Sequence, residues 1–325
     1  MKSSMSGLKM RLPVDKPVIV ILGPTAVGKT SLSVELAREL NAEIVSLDSR
    51  YLYKGMNIGT AKPTESELKG IPHHLIDVVE PDETISLPQI QMKAYQHIDK
   101  ILENHKIPML VGGTGQYVWS VVEGWMPPRT KPDSNFRAVL EEYANEIGAQ
   151  RIYEYVKLLD PQAASKIEPN NLRRSIRALE VIFTTGELFS KQKSKIPPPY
   201  DFKLIGLQYP RELLYQRVDQ RIDRMLEKGL IQETQELIKR GYDRNLPSMS
   251  AIGYKEIINY LEGNISLEEA VMLIKRRTRN FIRHQANWFK KDDVRIRWYE
   301  MNPDVLYAIS SYIKIKEGWI IGKSM

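Results

Sequence analysis

The segment from residue 18 to residue 30 reads VIVILGPTAVGKT and is the strongest indication of the fold in this sequence. Its first five residues are apolar and mostly β-branched, so residues 18–22 are predicted to form a buried strand. A glycine and a proline end that strand, and residues 29–41 then carry leucine at every fourth position, which is the spacing of a helix. A strand, a glycine-containing loop and a helix in this order are the setting of a phosphate-binding loop.

The loop matches the pattern G-x-x-x-x-G-K-[ST] at every defined position. Glycines let the backbone curl so that its N–H groups point at phosphate oxygens, and the dipole of the following helix adds to the attraction. The lysine supplies a positive charge and the threonine a hydroxyl for Mg²⁺, the predicted cofactor. The loop is typical of nucleotide-binding and ATP-binding proteins, and it also suits a diphosphate. The predicted phosphate-binding residues are Gly23, Pro24, Thr25, Ala26, Val27, Gly28, Lys29 and Thr30.

Further strands are predicted at residues 43–47, 107–111 and 203–207, separated by helical segments. This alternation predicts an α/β fold with a parallel, P-loop NTPase-like sheet, whose ligands bind at the carboxyl ends of the strands. Asp48 follows the second strand. We expect that strand to lie beside the first, which would turn Asp48 toward the phosphate loop, although a helix-capping role or an outer-sphere Mg²⁺ contact would also suit this residue.

The strand at residues 107–111 ends in Gly112-Gly113-Thr114-Gly115, without the aspartate that ATPases usually place after such a strand. This weakens an ATPase interpretation and leaves a small-molecule kinase as an alternative.

The composition changes at Pro127-Pro128, after which the pattern is helical and charged until the proline run at residues 197–199. We therefore predict a helical insertion domain at 128–202 within a core of 17–127 and 203–325. Core helices are expected at 211–228, 230–240, 254–261 and 267–289. Residues 1–16 are interpreted as a flexible tail.

The chain has 325 residues, no cysteine and a formal net charge of +7. The absence of cysteine excludes disulfides and thiolate metal sites, and it fits a cytoplasmic location. The basic charge makes a polyanion a candidate partner. No apolar run is long enough for a membrane span or a signal peptide, so no membrane partner is expected. Without heptads or an obvious apolar interface, the chain is predicted to be a monomer.

Several segments together resemble the tRNA dimethylallyltransferase family. They are the phosphate loop, DSRYLYKGMNIGTAKP at 48–63, PHHLID at 72–77, GGTGQY at 112–117, RALEV at 177–181 and IGYKE at 252–256, followed by Thr278-Arg279, Gln285 and Trp288-Phe289. The likeness runs in order from about residue 17 to residue 298. The segment at 48–63 is highly specific, whereas the phosphate loop alone is not.

The resemblance implies transfer of a dimethylallyl group from dimethylallyl diphosphate to N6 of an adenosine in the tRNA anticodon loop, adenosine 37. Asp48 would accept the N6 proton, and Thr114 would hold the amine unless its hydroxyl serves only a turn or helix cap. Arg217 and Arg221, four residues apart on one helix face, resemble a diphosphate clamp. A salt-bridged surface with Asp219 or Asp223 is the alternative.

The resemblance and the basic clusters also predict contacts with the tRNA anticodon stem-loop, whose target base must leave the stack. Tyr51 stands where the family often has glutamine near the target base, and Ser250 where glutamine or a basic residue is common. An adenylate prenyltransferase and a nucleic-acid-binding module with a vestigial loop remain alternatives. The predicted tRNA-binding residues are Asp48, Ser49, Arg50, Tyr51, Thr114, Arg137, Arg173, Arg174, Arg177, Ser250, Gly253, Lys255, Arg279 and Arg283.

Overall fold

The computed structural model describes residues 17–128, 130, 133–192 and 194–316. The predicted tail, 1–16, lies outside the described residues. The chain divides into two compact units, of which the first combines the described residues up to Val122 with those from Pro198 onward. The second unit is Glu123–Pro197, which begins and ends five residues before the predicted insertion at 128–202.

The first unit contains a six-stranded parallel sheet. Each of β1, β2 and β4 is buried along its whole length, because helices cover both faces of a parallel sheet. The strands are β1 (Val18–Leu22), β2 (Ala42–Ser46), β3 (His73–His74), β4 (Ile107–Gly112), β7 (Phe202–Gln208) and β8 (Ile296–Glu300), in the order β3-β2-β4-β1-β7-β8.

The expectation that the second strand lies beside the first was wrong. Met109 of β4 is in register with Ile19 of β1 on one side and with Ile44 of β2 on the other, so β4 separates the two. The mainly apolar β4, buried at every residue, takes the central place. Glu43 of β2 instead binds His74 of β3 at 2.7 Å. Asp48 nevertheless lines the same cavity as Lys29 and Thr30, because both segments follow carboxyl ends of strands at the same edge of the sheet.

The helices of the first unit follow the predicted pattern at 29–41, 211–228, 230–240, 254–261 and 267–289 to within a residue. The sequence did not predict α2, α3, α4 or α13, or the strands β3 and β8. The helices are α1 (Lys29–Leu40), α2 (Glu65–Leu68), α3 (Leu87–Glu103), α4 (Gly115–Glu123), α9 (Arg211–Glu227), α10 (Leu230–Lys239), α11 (Tyr254–Leu261), α12 (Leu267–Trp288) and α13 (Val305–Lys316). None of the helices in the described ranges is both long and apolar enough to cross a membrane.

The second unit is mainly helical and has its own core, which includes Ile152, Val156, Leu179 and Val181. Two short antiparallel strands pair close to its ends in the sequence. Its elements are β5 (Trp125–Met126), α5 (Ser134–Ile147), α6 (Ala149–Leu159), α7 (Pro161–Ala164), α8 (Leu172–Thr185) and β6 (Ser194–Lys195).

Candidate active site

The phosphate loop joins β1 to α1, as the sequence predicted, and the side chain of its lysine, Lys29, binds back to the loop backbone. Lys29 Nζ donates to the carbonyl oxygens of Gly23 at 3.0 Å and Pro24 at 2.8 Å. Burial lowers the pKa of Lys29 to about 8, Asp48 acts in the opposite direction, and Arg221 lowers the pKa further. The loop therefore holds a cation whose charge is sensitive to its surroundings near neutral pH.

A cavity of about 540 Å³ opens at this loop, and we call it the phosphate-loop cavity. Its lining includes Lys29, Thr30, Tyr51, Lys62 and Arg221, so it combines cations with hydroxyl groups. This mixture suits a phosphate or diphosphate group.

A second cavity, of about 300 Å³, opens at the ends of β2 and β4, and we call it the strand-end cavity. Its lining includes Ser49, Thr114, Gly253, Phe281 and His284, so it offers aromatic and polar surface. Four residues line both cavities and mark where they meet: Thr25, Asp48, Arg221 and Met225.

Asp48 is half-buried at this junction. Its Oδ1 accepts the backbone N–H of Arg50 at 2.9 Å, which fixes the carboxylate and leaves it facing the two cavities. Thr114, at the end of β4, accepts the backbone N–H of Ser49 through Oγ1 at 3.1 Å and donates to Ser49 Oγ at 3.4 Å. Thr114 therefore braces the residue after Asp48 while lining the strand-end cavity.

Tyr51 and Arg221 share one acceptor. The Tyr51 hydroxyl and the Arg221 guanidinium each donate to the carbonyl oxygen of Ala61 at 3.1 Å. Burial raises the pKa of Tyr51 to about 12, so its hydroxyl stays protonated at neutral pH. Tyr51 lines the phosphate-loop cavity, not the strand-end cavity, so this position lies beside the phosphate site.

The structure separates the predicted diphosphate clamp. Arg221 lines both cavities, but Arg217 is exposed, and its guanidinium carbon lies 4.0 Å from the ring centre of Tyr209. The alternative was a surface on which Asp219 or Asp223 pairs with these two arginines. Instead, Asp219 pairs with Arg279, and Asp223 pairs with Lys275 at 2.6 Å.

The IGYKE segment serves mainly to hold α11. The backbone N–H of Gly253 donates to Glu256 at 2.7 Å, and Glu256 also pairs with Arg277. Tyr254 is fully buried, whereas Lys255 is exposed. Ser250 is exposed nearby and donates to the carbonyl oxygen of Pro247 at 2.6 Å. Among these predicted RNA contacts, Lys255 and Ser250 have side chains open to a partner.

The Pro247 carbonyl also accepts from Arg50 at 3.3 Å, which holds Arg50 beside the strand-end cavity that it lines.

The other predicted RNA-binding arginines are either paired with a buried carboxylate or exposed. Arg137 and Arg177 both pair with Glu180, whose side chain is completely buried in the second unit. Arg173 and Arg174 are exposed on α8. In the first unit, Arg283 is exposed and donates to Asn280 at 2.7 Å.

Gln285 is a site residue whose role the sequence did not reveal. Its buried amide accepts the backbone N–H of Thr25 at 2.8 Å and donates to the carbonyl oxygen of Gly113 at 3.0 Å. It thus ties the phosphate loop and the end of β4 to α12. These partners are far apart in the chain, so no local pattern could have identified the bridge.

Gly115 makes the adjoining contact. A Cβ atom at this position would lie 2.3 Å from Trp288 Cγ, so only glycine lets α4 approach the end of α12 this closely.

Two oxygen donors could hold a magnesium ion, the Thr30 hydroxyl and the Asp48 carboxylate, which both line the phosphate-loop cavity. Within the described residues no cluster of three or more His, Cys, Asp or Glu side chains could bind a metal ion. Because Mg²⁺ is often held by one or two protein oxygens together with substrate phosphates, this donor set fits it.

The sequence model of a family described as IPP transferase matches residues 51–292, well over half of the chain. This chain belongs to the IPP transferase family. The phosphate loop precedes the matched segment, whereas Tyr51, Thr114, Arg221 and Gln285 lie within it.

Curated relatives support membership of the IPP transferase family. The tRNA dimethylallyltransferase of Roseiflexus sp. (strain RS-1) is 50% identical over 275 residues, which are 85% of this chain and 90% of the relative. A protein of the same name from Bacillus pumilus is 45% identical over 310 residues, with 93% and 97% of the two chains covered.

Solved structures agree with this family assignment. The tRNA isopentenylpyrophosphate transferase of Bacillus halodurans matches with a TM-score of 0.70 and 41% identity, covering 93% of this chain and 97% of that chain. A eukaryotic dimethylallyltransferase acting on tRNA matches with a TM-score of 0.78 and 30% identity, covering 95% and 81%.

Proposed function

We propose that this member of the IPP transferase family is a tRNA dimethylallyltransferase. It transfers a dimethylallyl group from dimethylallyl diphosphate to N6 of the adenosine on the 3′ side of the tRNA anticodon, and it releases diphosphate. The observation that carries this proposal is the position of the Asp48 carboxylate, which lines both the phosphate-loop cavity and the strand-end cavity. Relatives named for this activity, covered over most of their length, support it.

The diphosphate of the donor binds in the phosphate-loop cavity. Lys29 and Arg221 line this cavity, and loop amides and the N-terminus of α1 add donors for the departing charge. The Lys29 ammonium, held by carbonyl oxygens of its own loop, turns from them toward the diphosphate. The Thr30 hydroxyl would hold Mg²⁺, with Asp48 as an outer-sphere neighbour, and the ion would supply further neutralisation of the leaving group.

The adenine of the acceptor enters the strand-end cavity after leaving the anticodon-loop stack, and Phe281 and Trp288 offer it aromatic surface there. Its N6 lone pair is delocalised into the ring, so N6 needs its proton accepted as the new bond forms. N6 bonds to C1 of the dimethylallyl group, the C1–O bond to diphosphate breaks, and the N6 proton passes to the Asp48 carboxylate. Proton transfer of this kind contributes roughly 10²–10⁴-fold to the rate.

We further propose that the enzyme acts as a monomer in the cytoplasm.

The net charge of +7 favours binding of a polyanion such as tRNA. An acceptor the size of AMP does not need the exposed basic residues that each unit carries, on α8 in the second unit and on α12 in the first, so a tRNA acceptor accounts for more of the chain.

Labelled dimethylallyl diphosphate, Mg²⁺ and unmodified tRNA with adenosine 3′ of the anticodon provide the test, with AMP in parallel. We expect label to enter tRNA, and the Asp48→Asn variant to lose roughly 10²–10⁴-fold in rate while still binding tRNA. Asp82→Asn, which removes an exposed carboxylate from the same unit, is the control and should react like the wild type. Label in AMP alone would identify an adenylate prenyltransferase, and phosphoryl transfer from ATP without prenyl transfer would identify a kinase.

A further inference from the structure

The backbone of residues 57–59 is held by one carboxylate from another element. Glu233 of α10 accepts the N–H groups of Asn57 at 3.0 Å, Ile58 at 2.8 Å and Gly59 at 3.0 Å. Three successive N–H groups converging on one point form a nest, which in many proteins binds an external anion. Here an internal carboxylate fills the nest.

A buried tyrosine completes the arrangement. The Tyr254 hydroxyl donates to Glu233 Oε1 at 2.6 Å, and its ring lies against Gly59. A Cβ atom on residue 59 would come within 2.6 Å of that ring, so glycine is required for this approach. Gly59 and Tyr254 are therefore closely packed against each other.

The held segment continues directly into both cavities. Asn57 and Ile58 line the phosphate-loop cavity together with Ala61, whereas Gly59 and Thr60 line the strand-end cavity. The Ala61 carbonyl is the acceptor shared by Tyr51 and Arg221. The position of the Glu233 carboxylate therefore affects where Arg221, at the junction, and Tyr51, in the phosphate-loop cavity, are held, although Glu233 lines neither cavity.

We propose that Glu233 is a positioning residue for the diphosphate site, acting through the backbone of residues 57–61 on Arg221 and Tyr51. With a neutral amide in place of the carboxylate, an NH₂ group would face N–H donors, and the segment would have to shift. A shift of the Ala61 carbonyl would release Arg221 from its orientation toward the leaving group. The proposal rests on the assignment of the phosphate-loop cavity to the diphosphate of the donor.

Binding of inorganic diphosphate, measured by calorimetry with Mg²⁺, tests this step without requiring catalysis. Glu233→Gln is expected to raise the Kd of diphosphate and the KM of dimethylallyl diphosphate by about tenfold, with unchanged tRNA affinity. Tyr254→Phe keeps the ring against Gly59 and removes only the hydroxyl, so its effect should be smaller. Glu236→Gln removes an exposed carboxylate from the same helix and should match the wild type.

An unchanged diphosphate Kd in Glu233→Gln, even with a lower melting temperature, would overturn the proposal and leave Glu233 a structural residue. If Glu233→Gln does not fold, Glu233→Asp carries the same test, because its shorter carboxylate keeps the charge but cannot reach all three N–H groups. Wild-type protein that binds diphosphate but transfers no prenyl group would refute the proposed function and leave the role of Glu233 intact.

Discussion

Burial of the Lys29 ammonium determines how the phosphate loop responds to pH. Its pKa in the free protein is about 8, so Lys29 is charged below that pH and increasingly neutral above it. A bound diphosphate favours the charged form and raises this pKa again. Binding below pH 8 therefore needs no proton at Lys29, whereas binding above pH 8 must take one up.

We expect the affinity for diphosphate to weaken by up to about tenfold per pH unit as the pH rises above 8, because of this linked protonation. Calorimetry between pH 7 and 9.5 measures it, in buffers of different ionisation enthalpy. Lys29→Arg is the control, because its guanidinium stays charged over this pH range and so removes the pH dependence that is due to the lysine. The pH dependence that is due to ionisation of diphosphate itself is present in both proteins. Identical pH profiles for the two proteins would show that Lys29 is already charged throughout.

Individual residues that line the two cavities could be predicted from the sequence. The loop pattern predicted Lys29 and Thr30 because its spacing has a direct physical cause. The prediction for Asp48 assumed that β2 lies beside β1, which is wrong, because β4 lies between them. Asp48 still lines the phosphate-loop cavity, because the carboxyl ends of all strands in a parallel sheet lie at one edge. Arg217 and Arg221 could not be distinguished by helical spacing, since only the packing of α9 shows that one of them turns toward Tyr209.

Among the secondary-structure elements, α4, which follows β4, begins in close contact with the end of α12. Gly115 begins α4, and a Cβ there would overlap Trp288. Gly115→Ala should therefore lower the free energy of unfolding by about 1–3 kcal/mol, as overpacked substitutions do. Chemical denaturation measures this change.

The control for Gly115→Ala is Ser134→Ala, which places the same alanine at the first residue of another helix but at an exposed position. It should change the free energy of unfolding by no more than about 0.5 kcal/mol. Equal stabilities of the two variants would mean that α12 moves away from residue 115 at no cost.

Elements with a strong local period were predicted, and those specified by distant contacts were not. The predicted helix at 29–41 differs from α1 by one residue, because Asn41 adopts a left-handed conformation and caps the helix. The two-residue β3 has no periodicity, and β8 is partly exposed and rich in polar residues. The order of strands also escaped prediction, since it depends on β4 inserting between β1 and β2.

In the second unit, several hydrogen bonds and ion pairs converge on the buried carboxylate of Glu180. Glu180 accepts from Arg137 at 2.7 and 2.9 Å, from Arg177, and from the backbone N–H of Asp133 at 2.6 Å. Glu180→Ala should destabilise this unit by about 1–3 kcal/mol, less than for a fully buried pair, because both arginines are partly exposed.

Hydrogen exchange locates that effect. Amides of α5, α6 and α8 should exchange faster in Glu180→Ala, while those of β1 and β4 keep their wild-type rates, because the two units have separate cores. Glu187→Ala, an exposed substitution in the same unit, should leave all of these rates unchanged. Faster exchange in β1 as well would mean that the units unfold together.

The ion pairs with Glu180 determine which arginines of the second unit are available to bind RNA. Arg137 and Arg177 are paired with Glu180. Arg173 and Arg174 are exposed, and the guanidinium groups of these two have no partner within the described ranges. Replacing both exposed arginines with alanine should weaken tRNA binding and reduce the slope of log Kd against log salt by about 1–2, since each phosphate contact releases about one counterion.

Arg38→Ala, which removes an exposed charge from α1 in the first unit, is the matched control and should leave that slope unchanged. Equal slopes for the wild type, the double variant and this control would remove Arg173 and Arg174 from the RNA-binding surface. The exposed Arg283 and Lys255 of the first unit would then be the next predicted contacts to replace. A reduced slope in the double variant alone would instead mean that the second unit binds RNA phosphates through the arginines its own fold leaves unpaired.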